Sequence, residues 1–305
     1  MIRRLFPTRA AFACAVAVLT ALMSAHESRA AEPVPVPSAA APRFTVAVTG
    51  QGPDVILIPG LASSAAVWDD TVKQLRGRYR LHVIQVAGFA GTPVGANAEG
   101  PVIQPAVDAL DGYIKSAKLK SPAVIGHSMG GLMGLMLARQ HPEDLGKLMV
   151  VDSLPFFPVV FSPQATVESV RPQAAAMRDM ALKSNPEQWA AGETQTMVRL
   201  VKSPEARKAA TAAAIASNPS VTGRALYDDL TTDLRGEIAA IKTPTVMLYP
   251  WDAATGAPQA MFDTLYTEAY APMTSAKVKR IDGAFHFIML DQPAAFAAEV
   301  ESFLK

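Results

Sequence analysis

Gly126-His127-Ser128-Met129-Gly130 follows the apolar run Ala123-Val124-Ile125 and precedes the stretch Gly131-Leu132-Met133-Gly134-Leu135-Met136-Leu137-Ala138. This order reads as a strand, a five-residue turn and a helix. It sets a serine hydroxyl on a backbone so tight that glycine is needed at both flanks. Ser128 is therefore the candidate nucleophile, and the chemistry it would perform is acyl transfer. A serine hydroxyl attacks poorly at neutral pH. It needs an imidazole to take its proton, an acid to orient that imidazole, and amide donors for the carbonyl oxygen as charge develops on it.

The chain has five histidines. His26 falls in a candidate targeting segment, and His82 lies inside the apolar strand Tyr79–Ile84. His127 directly precedes the serine, with its ring expected to point away from the tip of the turn. His141 ends the helix beside Pro142, where a positive group suits the helix dipole. His286 remains. It follows the strand Ala276–Ile281 and the turn Asp282-Gly283-Ala284-Phe285, on a loop beyond a strand end, and is the expected base. For the acid, Thr245–Tyr249 reads as a buried strand with Asp252 just past it, and Asp252 is the expected partner. Asp152, just past the strand Leu148–Val151, is the alternative, because an acid on that neighbouring strand could reach the same imidazole. The amide of Met129 is the expected first oxyanion donor. The second is expected from Leu61, with Ala62 close behind, in the loop Pro59-Gly60-Leu61-Ala62 after the strand Asp54–Ile58.

Taken together, these pieces resemble an α/β-hydrolase of the esterase and lipase superfamily. They are the Pro59-Gly60-Leu61 loop with Trp68, the Gly88-Phe89-Ala90-Gly91-Thr92 turn, the Gly126 to Gly131 elbow, the acid loop at Asp252, and Gly283-Ala284-Phe285-His286-Phe287. The resemblance covers nearly all of the chain after its leader and implies the order Ser, Asp, His for the triad. Two departures stand out: relatives usually carry His where this chain has Pro59, and Gly where it has Pro250. A serine nucleophile argues against the dehalogenase and epoxide hydrolase branches, which resemble this fold but use Asp at the elbow.

Apolar strands alternate with helical stretches over 43–154 and again over 226–305. This argues an α/β architecture with a mostly parallel, doubly wound sheet. Between them the strands stop. Residues 155–225 carry Ser162-Pro163, Asn185-Pro186, Ser203-Pro204 and Asn218-Pro219, a capping residue followed by proline at the first helical position. A helical insertion is expected there, and the resemblance implies a lid. Phe156, Phe157, Phe161, Met177, Met180, Trp189 and Met197 are expected to form its own core and, in part, an apolar ceiling over the substrate.

Arg3, Arg4 and Arg9 precede an apolar run from Ala10 to Met23, followed by the small-residue site Ser28-Arg29-Ala30. Residues 1–30 read as a secretory signal peptide, so a periplasmic or secreted protein is expected, with no stable membrane insertion once the leader is removed. The proline-rich segment 31–42 reads as a flexible spacer. Without the leader's four arginines and one glutamate, 24 basic and 26 acidic residues remain, a net charge of about −2 that marks no nucleic-acid surface. Cys14, the only cysteine, lies in the leader, so a thiol nucleophile and thiolate metal sites are excluded downstream. No cofactor or metal motif is present. The expected substrate is a small-molecule ester with an uncharged or apolar acyl group, cleaved through an acyl-enzyme. Lactonase, thioesterase and carbon–carbon hydrolase activities are the alternatives within the fold, and a ligand-binding pseudo-hydrolase is the alternative outside enzymes.

Overall fold

A computed structural model describes residues 33–35 and 42–305 of the chain. The leader assigned to 1–30, with Cys14 and His26, lies outside the described residues. Eight strands form one sheet in the spatial order β1-β2-β4-β3-β5-β6-β7-β8. Strands β1 (Pro33–Pro35), β2 (Phe44–Thr49) and β4 (Arg80–Val86) pair antiparallel at one side. All the remaining pairings are parallel, through β3 (Asp54–Ile58), β5 (Ala123–His127), β6 (Lys147–Val151), β7 (Thr245–Trp251) and β8 (Ala276–Asp282). The segment expected to be a free spacer thus contributes β1, because the outer edge of β2 has backbone groups still to be paired.

The period-2 alternation of the strands divides the interior into two layers. Ile56, Ile58, Val124, Leu148 and Val150 face one way, packing under α2 (Ile103–Ser116), α3 (Met129–Gln140) and α8 (Gln259–Tyr270). Val55, Leu57, Ile125, Met149 and Val151 face the other way, against α1 (Asp69–Leu75) and α10 (Pro293–Leu304), where Trp68, Phe296 and Phe303 complete the layer. A sheet covered on both faces is what the near-continuous apolar strands require. The short helix α9 (Ile288–Asp291) precedes α10.

Four helices lie between β6 and β7: α4 (Val167–Lys183), α5 (Pro186–Leu200), α6 (Pro204–Ala216) and α7 (Pro219–Thr231). Asn185, Ser203 and Asn218 cap α5, α6 and α7, each side chain accepting from an N–H three residues on, with proline in the first turn. Ser162-Pro163 starts no helix; Thr166 caps α4 through a reciprocal bond with Ser169. The last of the four helices also runs past residue 225, to Thr231. Because β3, β5, β6, β7 and β8 are parallel, the turns that follow them all emerge on one edge of the sheet, where open α/β sheets place their ligands.

Candidate active site

Ser128 sits where β5 gives way to α3. Its backbone is left-handed, with φ 53° and ψ −122°, a conformation that costs a non-glycine residue on the order of 1–3 kcal/mol. Two glycines make the turn possible. A Cβ on Gly126 would lie 2.1 Å from the Gly130 carbonyl oxygen, and one on Gly130 would lie 2.4 Å from that of Ile58. The Ser128 N–H donates to Val151 O at 2.9 Å, and its carbonyl accepts from Gly131 N and Leu132 N, so neighbouring strand and following helix both fix the turn.

On β6, the residue one step past the ladder is Asp152, itself left-handed at φ 46° and buried. Its N–H donates to Leu248 O of β7 at 2.8 Å. One carboxylate oxygen, Oδ2, lies 2.6 Å from Nδ1 of His286, on the loop after β8. The other accepts a hydrogen bond from the Tyr266 hydroxyl of α8. Burial, and then the neighbouring Asp152 charge, hold the Tyr266 phenol well above its ordinary pKa, so it remains a donor. Nδ1–H of His286 is thereby committed to Asp152, which leaves Nε2 as the ring's free base.

Asp252 is not at this site, which corrects the expectation that it orients the imidazole. Strand β7 does not stop at Tyr249 but continues through Pro250 to Trp251. Val151 is paired with Leu248, so the position level with Asp152 is Tyr249, and Asp252 lies three residues further along, about 10 Å at the rise of a strand. There its carboxylate caps the turn at Ala254 N and accepts from Nζ of Lys202. The Lys202 hydrogen bond, followed by the Ala254 N–H, holds its pKa below the usual carboxylate value. The alternative acid, Asp152, is the one the fold brings to His286.

His127 contributes more than its place in the turn suggested. It is fully buried, its ring centroid lies 4.6 Å from that of His286, and its Nε2 is 3.0 Å from the His286 carbonyl oxygen. A carbonyl can only accept, so Nε2 carries the proton and Nδ1 is bare. Burial, and then the field of His286, push its pKa well below the ordinary value and keep the ring neutral. The loop after β3 rests on the same ring: a Cβ on Gly60 would sit 3.0 Å from both His127 Nδ1 and Ser128 Cβ. Among the described residues, the amides of Leu61 in that loop and of Met129 at the start of α3 donate no hydrogen bond. The first N–H groups of a helix have no acceptor within it.

The ends of α5, α6 and α7 are tied to this edge. Asn218 N donates to Gly88 O at 2.7 Å, Ser217 Oγ accepts from Ala90 N and donates to Ala62 O, and Phe287 N donates to Leu200 O. Of the apolar residues expected in this layer, Phe156 and Met197 are buried, whereas Phe161 and Met180 are 73% and 68% exposed and cannot belong to its core. From α7 comes an acid that no motif announced. Asp229 has no hydrogen-bond partner among the described residues, and burial pushes its pKa up to about 7, against the opposing pull of His286. Glu193 of α5 is raised by burial to about 6.

The other histidines have structural partners. His82 is buried between the Tyr113 hydroxyl at 2.6 Å and Asp54 at 3.0 Å. His141 groups with Asp111 and Asp144, whose ligand-type atoms lie within 4.8 Å of one another. The Lys115 ammonium already sits 2.7 Å from Asp111 and 3.5 Å from Asp144, and the group lies at the far end of α3 from Ser128. Among the described residues, no helix is long and apolar enough to cross a membrane.

A family model described as "Alpha/beta hydrolase family" matches residues 55–299. Among curated proteins, the chain is similar to a pimeloyl-[acyl-carrier protein] methyl ester esterase of Aeromonas hydrophila subsp. hydrophila, 34% identical over 108 residues, 35% of this chain and 41% of the relative. A Vibrio cholerae protein of the same description is 27% identical over 213 residues, 66% of this chain and 76% of the relative. The chain thus spans about two fifths of the length of the first of these relatives. Among solved structures, a thermophilic esterase from Thermogutta terrifontis shares the fold with a TM-score of 0.71 at 20% identity, over 90% of this chain and 98% of that one.

Proposed function

The chain belongs to the alpha/beta hydrolase family, and from that premise we propose that it hydrolyses small-molecule carboxylic esters of uncharged, apolar acyl groups through an acyl-enzyme. In this reading Ser128 Oγ attacks the ester carbonyl while His286 takes its proton at Nε2. The amides of Met129 and Leu61 receive the oxyanion. The tetrahedral intermediate collapses as His286 returns the proton to the leaving alcohol. Water, deprotonated by the same nitrogen, then releases the acid and regenerates the serine. Asp152 holds the imidazole tautomer and offsets the charge it gains.

The observation that carries this reading is the 2.6 Å hydrogen bond from His286 Nδ1 to Asp152, whose neighbour Val151 accepts the N–H of Ser128 in its left-handed turn. Relatives described as methyl ester esterases favour an ester over other acyl substrates. The seating of α6 and α7 on the turns after β3 and β4 supports a lid over the serine. Ser128→Ala is expected to lower turnover of a p-nitrophenyl ester by on the order of 10³-fold or more with an unchanged melting temperature. A folded S128A protein that hydrolyses at the parent's rate would overturn the assignment.

The reading extends to export. The Arg3-Arg4 and Ala10–Met23 pattern supports a cleaved leader and an extracytoplasmic enzyme. N-terminal sequencing of protein recovered from the periplasm or medium is expected to begin at Ala31. Recovery of an uncleaved chain from the cytoplasm alone would exclude export.

A further inference from the structure

The backbone on either side of His286 is tied to the turn between α5 and α6. Asp291, at the end of α9, accepts three backbone N–H groups. Oδ1 takes Lys202 N at 3.0 Å and Ser203 N at 2.9 Å, Oδ2 takes Phe285 N at 2.9 Å, and Lys202 N also lies 3.1 Å from Oδ2. Two of these donors belong to the turn between two inserted helices and the third to the residue before His286. On the other side, Phe287 N donates to Leu200 O at 3.2 Å. A carboxylate is suited to this junction because it has acceptor capacity for several N–H groups at once, and its charge strengthens each bond. A neutral amide in its place would turn one acceptor into a donor facing another donor.

We propose that Asp291 is a positioning residue for His286, joining the α5–α6 turn to the loop that carries the base so that seating of the helical layer and placement of the imidazole are one event. The proposal rests on the acyl-transfer reading of Ser128 and His286. Asp291 itself touches no reacting atom. Loss of the junction lets Phe285 and its neighbour drift, and a sub-ångström displacement of a general base reduces the fraction of enzyme aligned for proton transfer. The effect therefore falls on kcat rather than on substrate affinity.

The test uses the full-length protein. Asp291→Asn and Asp291→Ala are compared with the parent for steady-state hydrolysis of p-nitrophenyl acetate and for the rate at which a fluorophosphonate probe labels Ser128, with S128A as the blank. The expected order is parent, then D291N, then D291A, with kcat and labelling rate falling about tenfold or more in D291A and KM moving less than about twofold. A folded D291A protein with the parent's kcat and labelling rate overturns the proposal. So does a loss confined to KM. Amide hydrogen exchange on the parent is a second measurement that needs no variant. Lys202, Ser203 and Phe285 are expected to exchange at a common slow rate, and fast exchange at Lys202 and Ser203 beside a protected Phe285 overturns the coupling even if the variants fail to fold. A parent that neither hydrolyses esters nor takes the probe indicts the acyl-transfer reading instead, a result separable from the exchange pattern.

Discussion

Two carboxylates stand past neighbouring strand ends in this protein, and only one meets an imidazole. Asp152 is buried between His286 and Tyr266, whereas Asp252 is paired with Lys202 at a turn. Asp152→Asn is therefore expected to lower kcat by on the order of 10³–10⁴-fold, because an amide at Nδ1 favours the wrong tautomer. Asp252→Asn is expected to leave it within about twofold. The reverse ranking in a p-nitrophenyl ester assay would refute the pairing. Tyr266→Phe deletes a donor and leaves a buried carboxylate oxygen unpaired, a loss of about 1–3 kcal/mol. It is expected to lower both the melting temperature and kcat, measured by calorimetry and initial rates. Sequence reasoning placed the serine turn and the histidine loop by glycine spacing and by elimination. It ranked Asp252 above Asp152, since the deciding quantity, where β7 ends relative to β6, is not local. That register arises only when strands far apart in the chain are laid side by side. Tyr266 carried no local signal, because its partner Asp152 is remote in sequence.

Among the elements, the contact between α3 and the end of β3 leaves no room for a side chain. The Gly130 position faces backbone oxygens of Ile58 and Pro59, which cannot rotate aside as a side chain would. Gly130→Ala is expected to destabilise the protein by more than about 2 kcal/mol, read as a lower denaturant midpoint, since the helix must lift from the sheet to admit the methyl group. A midpoint equal to the parent's would mean that the helix can shift freely. The helices of the insertion were more legible than their packing. Three Asn/Ser-Pro dipeptides mark real helix starts, since an oxygen acceptor before a residue lacking an N–H satisfies the helix end locally. Ser162-Pro163 fails the same rule: the helix starts at Thr166, where a reciprocal bond with Ser169 satisfies two N–H groups of the first turn. Alternation of apolar strands with helices along the chain argued for a doubly covered, mostly parallel sheet, but the pairing of Pro33–Pro35 with β2 had no periodic signal to announce it.

For the molecule as a whole, pH acts on stability through its buried acids. Asp229 has a folded pKa of about 7, above its unfolded value of 3.8, so the fold prefers its protonated form. Stability attached to that proton is complete below about pH 4 and is lost as the pH rises through about 7. Asp229→Asn is accordingly expected to raise the melting temperature at pH 8 and to leave it unchanged near pH 4, as a pair of thermal scans would reveal. A constant difference at both pH values would show that the carboxyl is not held neutral by the fold. In the opposite sense, the paired carboxylates of Asp54 and Glu301, held low with Arg80 and Arg78 as hydrogen-bond partners, stabilise the fold at neutral pH and withdraw that support in acid. Strand β1 closes one border of the sheet. Two of its three residues are prolines, with no N–H to offer a newcomer. At that border of the sheet another chain finds an incomplete template, a guard against fibril growth where a longer strand with a full row of N–H groups would invite it.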